Sequence, residues 1–175
     1  MHEKTLVLLF GACEEKDPME AERVAKQPNE VELHPQLRTY VEGVVQDFDT
    51  ITEERKRALR KLALFIRMKQ SSNEPANLTF ICTHNSRRSH MSQLWAATAA
   101  AWYGVKNVGT FSGGTEATAF NPRAVAALEG AGLVIENPGG DNPHYRVTYG
   151  PGAPIMECYS KTYDDPSNPQ KGFAA

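Results

Sequence analysis

The sequence predicts an α/β domain built on a parallel sheet, and three stretches carry that prediction. Leu78-Thr79-Phe80-Ile81 is a short apolar, β-leaning run. Small and polar residues follow it, and then Met91, Leu94, Trp95, Thr98 and Trp102 recur at helical spacing. Val108 to Phe111 reads as a second strand, with Gly104 ending the helix before it. The third stretch, FNPRAVAALEGAG, offers Asn121 as a helix cap, Pro122 in the first turn, and Gly130 and Gly132 as the close. Strand, helix, strand, helix implies right-handed crossovers and a parallel sheet, with ligands expected at the C-terminal strand ends.

The chain begins MHEKTLVLLFGAC: a short charged lead, an apolar run from Thr5 to Phe10, then Gly-Ala-Cys and a polar stretch. This start resembles a bacterial lipoprotein signal peptide, whose cysteine becomes the lipidated first residue. On that reading residues 1–34 are signal and flexible linker, Cys13 carries a lipid anchor, and the domain works in the cell envelope. The alternative is an edge strand of the domain in a cytoplasmic protein. Glu14 to Glu32 is charged and poor in large apolar residues, as a linker is.

Residues 35–72 are expected to form a helical pair. Leu37, Tyr40, Val41, Val44, Val45 and Phe48 make one apolar face, and Leu59, Leu62, Ala63 and Ile66 make another. Thr50-Ile51-Thr52-Glu53 fits a capping box between them. The basic run ERKRALRK reads as a solvated helix face. The pair would pack on the domain or on a twin, the latter making a homodimer. SSNEPAN is the joint to the main domain, residues 73–175. Further on, Tyr145, Val147 and Tyr149 alternate with polar residues, GPGAP turns the chain, and Ile155 to Tyr159 returns as a β-hairpin.

Composition bounds the function. A chain of 175 residues, 41% hydrophobic and 23% charged, is one globular domain with a real core. A net charge of −2 gives no sign of a nucleic-acid partner. Cys13, Cys82 and Cys158 form neither a disulfide framework nor a zinc pattern, and no metal or cofactor is expected. Cys158, on the returning hairpin arm, reads as a packed strand thiol rather than a redox partner.

The chemistry concentrates at Cys82 and Arg88, which flank the loop between the first strand and its helix. A helix N-terminus and a guanidinium both favour thiolate over thiol, and the thiolate is the nucleophile. Arginine can also grip two phosphate oxygens at once. Such a thiolate beneath a phosphate is placed for in-line attack, with loop donors holding the equatorial oxygens.

ICTHNSRRS resembles the phosphate loop of the low-molecular-weight protein tyrosine phosphatase superfamily, which includes the thioredoxin-coupled arsenate reductases. The likeness spans about Leu78 to Glu136. It implies a three-layer parallel sheet in which Cys82 is the nucleophile and Arg88 the oxyanion clamp. Asn85 would hold the loop's shape and Ser89 would donate to the thiolate. Thr83, His84, Ser86 and Arg87 would complete the phosphate-binding loop. Two residues depart from the pattern: His84 replaces the usual glycine, and Arg87 replaces a second cysteine.

The family's general acid is an aspartate before proline. Asp165-Pro166 has the letters, but it follows a hairpin instead of the third and fourth strands, and it equally suits an ordinary turn. Gly172 to Ala175 reads as the start of a strand, and the family's sheet would need more chain, so a C-terminally incomplete domain is expected. The resemblance implies hydrolysis of a phosphomonoester, foremost phosphotyrosine in a protein. Arsenate reduction at the same loop is the alternative, with Cys158 the only local resolving thiol. A weakly catalytic module that binds phosphate or a phosphoprotein is the third reading.

Overall fold

The structure, a computed structural model, describes residues 32–175. Helix α1 (Pro35–Val45) starts on Pro35, whose missing N–H has no intrahelical acceptor to lose. Its buried residues Leu37, Val41 and Val44 are spaced to form one face. A 3₁₀ turn at Phe48–Thr50 leads into α2 (Glu53–Ser71). The cap of α2 is Thr52, whose side chain accepts from Arg55 N at 3.4 Å, and not the Thr50 of the expected capping box. Thr50 lies inside the 3₁₀ turn, where its hydroxyl donates to Asp47 O at 2.6 Å. Glu53, freed from that box, pairs at the exposed surface with Lys56 and Arg60.

Strand β1 (Ala76–Cys82) runs into α3 (Arg88–Trp102), then β2 (Val108–Gly114) and α4 (Pro122–Ala131). The strands pair in parallel, from Ala76 with Val108 to Cys82 with Gly114. Residues Phe173–Ala174 do form a strand, β6, which pairs in parallel with Asn77 and Leu78. The order β2-β1-β6 therefore places β1 in the centre. Among the described residues the fold is α/β, with four α-helices and one three-stranded parallel sheet.

Asn121 caps α4 by accepting from Arg123 N at 3.0 Å. Gly132 closes the helix at φ 106°, and a Cβ there would lie 2.3 Å from Leu37 N of α1. Gly130 plays no part in the close, because it sits within the last turn of the helix. The expected hairpin forms from β4 (Tyr145–Thr148) and β5 (Met156–Cys158). A third strand, β3 (Val134–Glu136), extends it into an antiparallel sheet of order β3-β4-β5. Three residues straight after a helix close are too few to show a period.

One core joins these parts. Leu37 and Val41 of α1 pack with Leu94 and Trp95 of α3, Leu128 of α4, and Val147 and Cys158 of the second sheet. Tyr40 stacks on Trp95 with ring centres 5.3 Å apart. Ile66 of α2 joins Ala76 and Leu78 of β1 in a smaller cluster. Helices α1 and α2 thus both pack on the domain, while the basic residues of the ERKRALRK run are exposed apart from the partly covered Lys56. The lipoprotein-like start, Cys13 and the linker lie outside the described residues. Among the described residues no helix is long and apolar enough to cross a membrane.

Candidate active site

Strand β1 ends at Cys82 and helix α3 begins at Arg88, so the loop between them wraps the N-terminal end of α3. Its carbonyls are held from outside. Cys82 O accepts from Thr115 N at 3.1 Å, and Thr83 O from Glu116 N at 2.9 Å and Thr115 Oγ1 at 3.1 Å. His84 O accepts from Thr118 Oγ1 at 3.1 Å and Ser160 Oγ at 3.0 Å, and Ser86 O from Asn121 N at 2.8 Å. In a trans peptide the N–H points opposite to the carbonyl before it. Anchoring these four carbonyls therefore turns the N–H groups of Thr83, His84, Asn85 and Arg87 away from the brace.

Asn85 sets the bend. It is fully buried at φ 43°, a left-handed conformation that asparagine tolerates better than most residues. Its Oδ1 accepts from Lys161 N at 2.9 Å and its Nδ2 donates to Ser89 Oγ at 2.8 Å. Ser89 Oγ lies 3.0 Å from Cys82 Sγ. With an N–H already donated to the serine oxygen, its own hydrogen is free for the sulfur, and a thiolate can only accept. Burial pushes the Cys82 thiol up. The Ser89 hydroxyl and the main-chain N–H groups of Ser89, Ser86 and Asn85 outweigh that and bring it below the ordinary thiol value.

Above the sulfur is a cavity of about 270 Å³, lined by Cys82, His84, Ser86, Arg87, Arg88, Thr118 and Asn121. Cys82 and Arg88 thus share one opening, with Arg88 in the first position of α3. Two cations, a helix N-terminus and the amides that face the sulfur make it suited to a tetrahedral anion. Of the loop residues singled out in the sequence, His84, Ser86 and Arg87 line this cavity as well. Thr83, Asn85 and Ser89 do not line it. Thr83 anchors the loop through its carbonyl, while Asn85 and Ser89 act from buried positions behind the sulfur.

Asp165 is not in the cavity lining. Its Oδ1 accepts from Ser167 Oγ at 2.6 Å, Ser167 N at 2.9 Å and Tyr159 OH at 3.2 Å. These donors, Ser167 first, hold its carboxyl below the usual range, which is the wrong direction for a proton donor. The turn reading of Asp165-Pro166 is the one the geometry fits. Cys158 is fully buried and absent from the lining, and burial pushes its thiol up to about 12.

Several contributors carry no local signal. Gly114 lies so close to the loop that a Cβ would sit 2.5 Å from Glu116 O, 2.6 Å from Asn85 N and 2.7 Å from Thr83 O. A glycine at the end of a strand is the one hint of such an approach. Ser160 and Lys161 reach the loop from beyond the second sheet. His90, also fully buried, stacks on Phe120 at 4.1 Å and bonds Ser112 Oγ through Nδ1 at 3.1 Å, tying α3 to β2. Burial pushes its imidazole down to about 3, so it is a neutral packing residue.

Comparison with family models, curated proteins and solved structures returns no match. The site is therefore judged on its own geometry. That geometry makes one direct prediction. In Ser89→Ala the thiolate loses its side-chain donor while the main-chain donors remain. Alkylation of Cys82 by iodoacetamide should then need a higher pH, its rate profile moving upward relative to the unaltered protein. An unmoved profile would show that the hydroxyl does not act on the sulfur.

Proposed function

We propose that this chain hydrolyses phosphomonoesters at Cys82 through a cysteinyl-phosphate intermediate, in the manner of the low-molecular-weight protein tyrosine phosphatases. The observation that carries the reading is the environment of Sγ: one hydroxyl and three main-chain N–H groups favour its anion, and Arg88 opens onto the same cavity. Sγ attacks phosphorus, the S–P bond forms, and the bond to the ester oxygen breaks. Water then attacks phosphorus, the S–P bond breaks, and thiolate and inorganic phosphate result. Throughout, loop amides and the Arg88 fork hold the equatorial oxygens, where charge accumulates.

The cavity wall is polar, so the substrate is a phosphorylated protein side chain or small phosphomonoester that presents its phosphate rather than a large apolar body. Arsenate would fit the same cup. Its reduction, however, needs a resolving thiol, and among the described residues the one other cysteine, Cys158, is buried with its thiolate form disfavoured. Hydrolysis is therefore the reading supported best.

The test is incubation with p-nitrophenyl phosphate, followed by acid quench and mass spectrometry of the Cys82 peptide. Release of p-nitrophenol with phosphate recovered on Cys82 is the expected result. Phosphate bound by calorimetry, with no product and no phosphorylated cysteine, would instead select a binding module.

A further inference from the structure

An ester oxygen leaves more readily when protonated as its bond to phosphorus breaks. Asp165 does not line the cavity, and its carboxyl is committed to Ser167 and Tyr159, so the donor is another residue. Among the described residues lining the cavity, Arg87 and Arg88 are guanidinium groups that serve as fixed cations, and Cys82 is the nucleophile. Thr118, Asn121 and Ser86 are neutral. His84 is left, the side-chain type that both gives and takes a proton near neutral pH.

Its surroundings suit the task. His84 Nε2 lies 3.2 Å from Glu116 Oε1, and since a carboxylate only accepts, Nε2 carries the proton of that contact. The pair is more than half exposed, so it adds little stability. What it does is orient the ring, leaving Nδ1 as the nitrogen for chemistry. Both partners are anchored by main chain: His84 O to Thr118 and Ser160, and Glu116 N to Thr83 O. The charged and titratable groups around His84 are thus Glu116 from the segment after β2, Cys82 from the end of β1, Arg87 from the loop and Arg88 from the start of α3.

We infer that His84, oriented by Glu116, is the acid–base residue of the Cys82 reaction. The inference rests on the hydrolase reading. In the first step the imidazolium gives its Nδ1 proton to the departing ester oxygen as the S–P bond forms and the P–O bond breaks. In the second the neutral imidazole takes a proton from water as its oxygen bonds phosphorus and the S–P electron pair returns to sulfur. His84, one of the two residues that depart from the family's loop pattern, then supplies the proton expected of an aspartate.

The experiment compares phenyl phosphate, whose leaving oxygen is strongly basic, with p-nitrophenyl phosphate, whose leaving oxygen is weakly basic. His84→Gln should lower kcat/KM for phenyl phosphate by about 100-fold and for p-nitrophenyl phosphate by much less. Glu116→Gln should show the same leaving-group dependence with a smaller loss, and Asp165→Asn should match the unaltered protein on both esters. Equal losses on the two esters in His84→Gln, with inorganic phosphate still inhibiting normally, would overturn the inference. So would a leaving-group-dependent loss in Asp165→Asn. If His84→Gln no longer responds to phosphate, Glu116→Gln decides: a leaving-group-dependent loss supports the role and its absence overturns it. If the unaltered protein hydrolyses neither ester, the hydrolase reading itself falls and this role with it.

Discussion

Cys82→Ser should lose hydrolysis of p-nitrophenyl phosphate by roughly 10⁴-fold or more and should still bind inorganic phosphate. The loop is built to hold an anion that is already formed. Its donors to position 82 are Ser89, whose oxygen is engaged by Asn85 Nδ2, and the amides of Asn85, Ser86 and Ser89. All of them donate, and none removes a proton. A thiol brought below its ordinary value by such donors ionises readily, whereas a serine hydroxyl starts far higher and needs a base beside it. Binding has another basis. Arg88, the loop amides and the α3 N-terminus remain, and removing the thiolate removes a like charge from beneath the phosphate. Phosphate affinity by calorimetry should hold or rise. Appreciable turnover by the serine variant would mean that the nucleophile lies elsewhere, and lost affinity would mean that the sulfur is part of the anion site.

The elements at the heart of the fold were legible because their signals are local. An apolar run, a polar gap and a helical period give β1, the loop and α3, and Asn121-Pro122 marks the start of α4 by chemistry that does not depend on the rest of the chain. Cys82 and Arg88 could be paired from the same stretch because a strand end and a helix start bring them to one opening. The outer half of the site was not legible, for the opposite reason. Thr115, Glu116 and Thr118 brace the loop through contacts 32 to 34 residues away, and Ser160 and Lys161 do so from 76. No periodicity marks a residue as the partner of a distant carbonyl. The Thr50 box failed on a finer point. Two threonines two residues apart are both acceptable N-caps, and only the intervening 3₁₀ turn decides between them.

The buried bracing makes Asn85 the most sensitive loop position for stability. Asn85→Ala should destabilise the protein by about 3 kcal/mol, lowering Tm on the order of 10 °C. Two effects add. Alanine is strained at φ 43° by about 1 kcal/mol, and the Lys161 N–H loses its acceptor in a buried place at a further 1–3 kcal/mol or so. Asn85→Asp separates stability from chemistry. It keeps an oxygen for Lys161 N and tolerates the backbone, but it cannot donate to Ser89 and sets a negative charge behind the sulfur. The aspartate variant should therefore melt closer to the unaltered protein, while its Cys82 is alkylated only at higher pH because nothing holds the Ser89 hydrogen toward sulfur. Thermal melts and iodoacetamide profiles of the two variants read these effects separately. Equal melting losses in both would show that the contact with Lys161 is not what stabilises the loop. An unshifted alkylation profile in the aspartate variant would break the link from Asn85 through Ser89 to the thiolate.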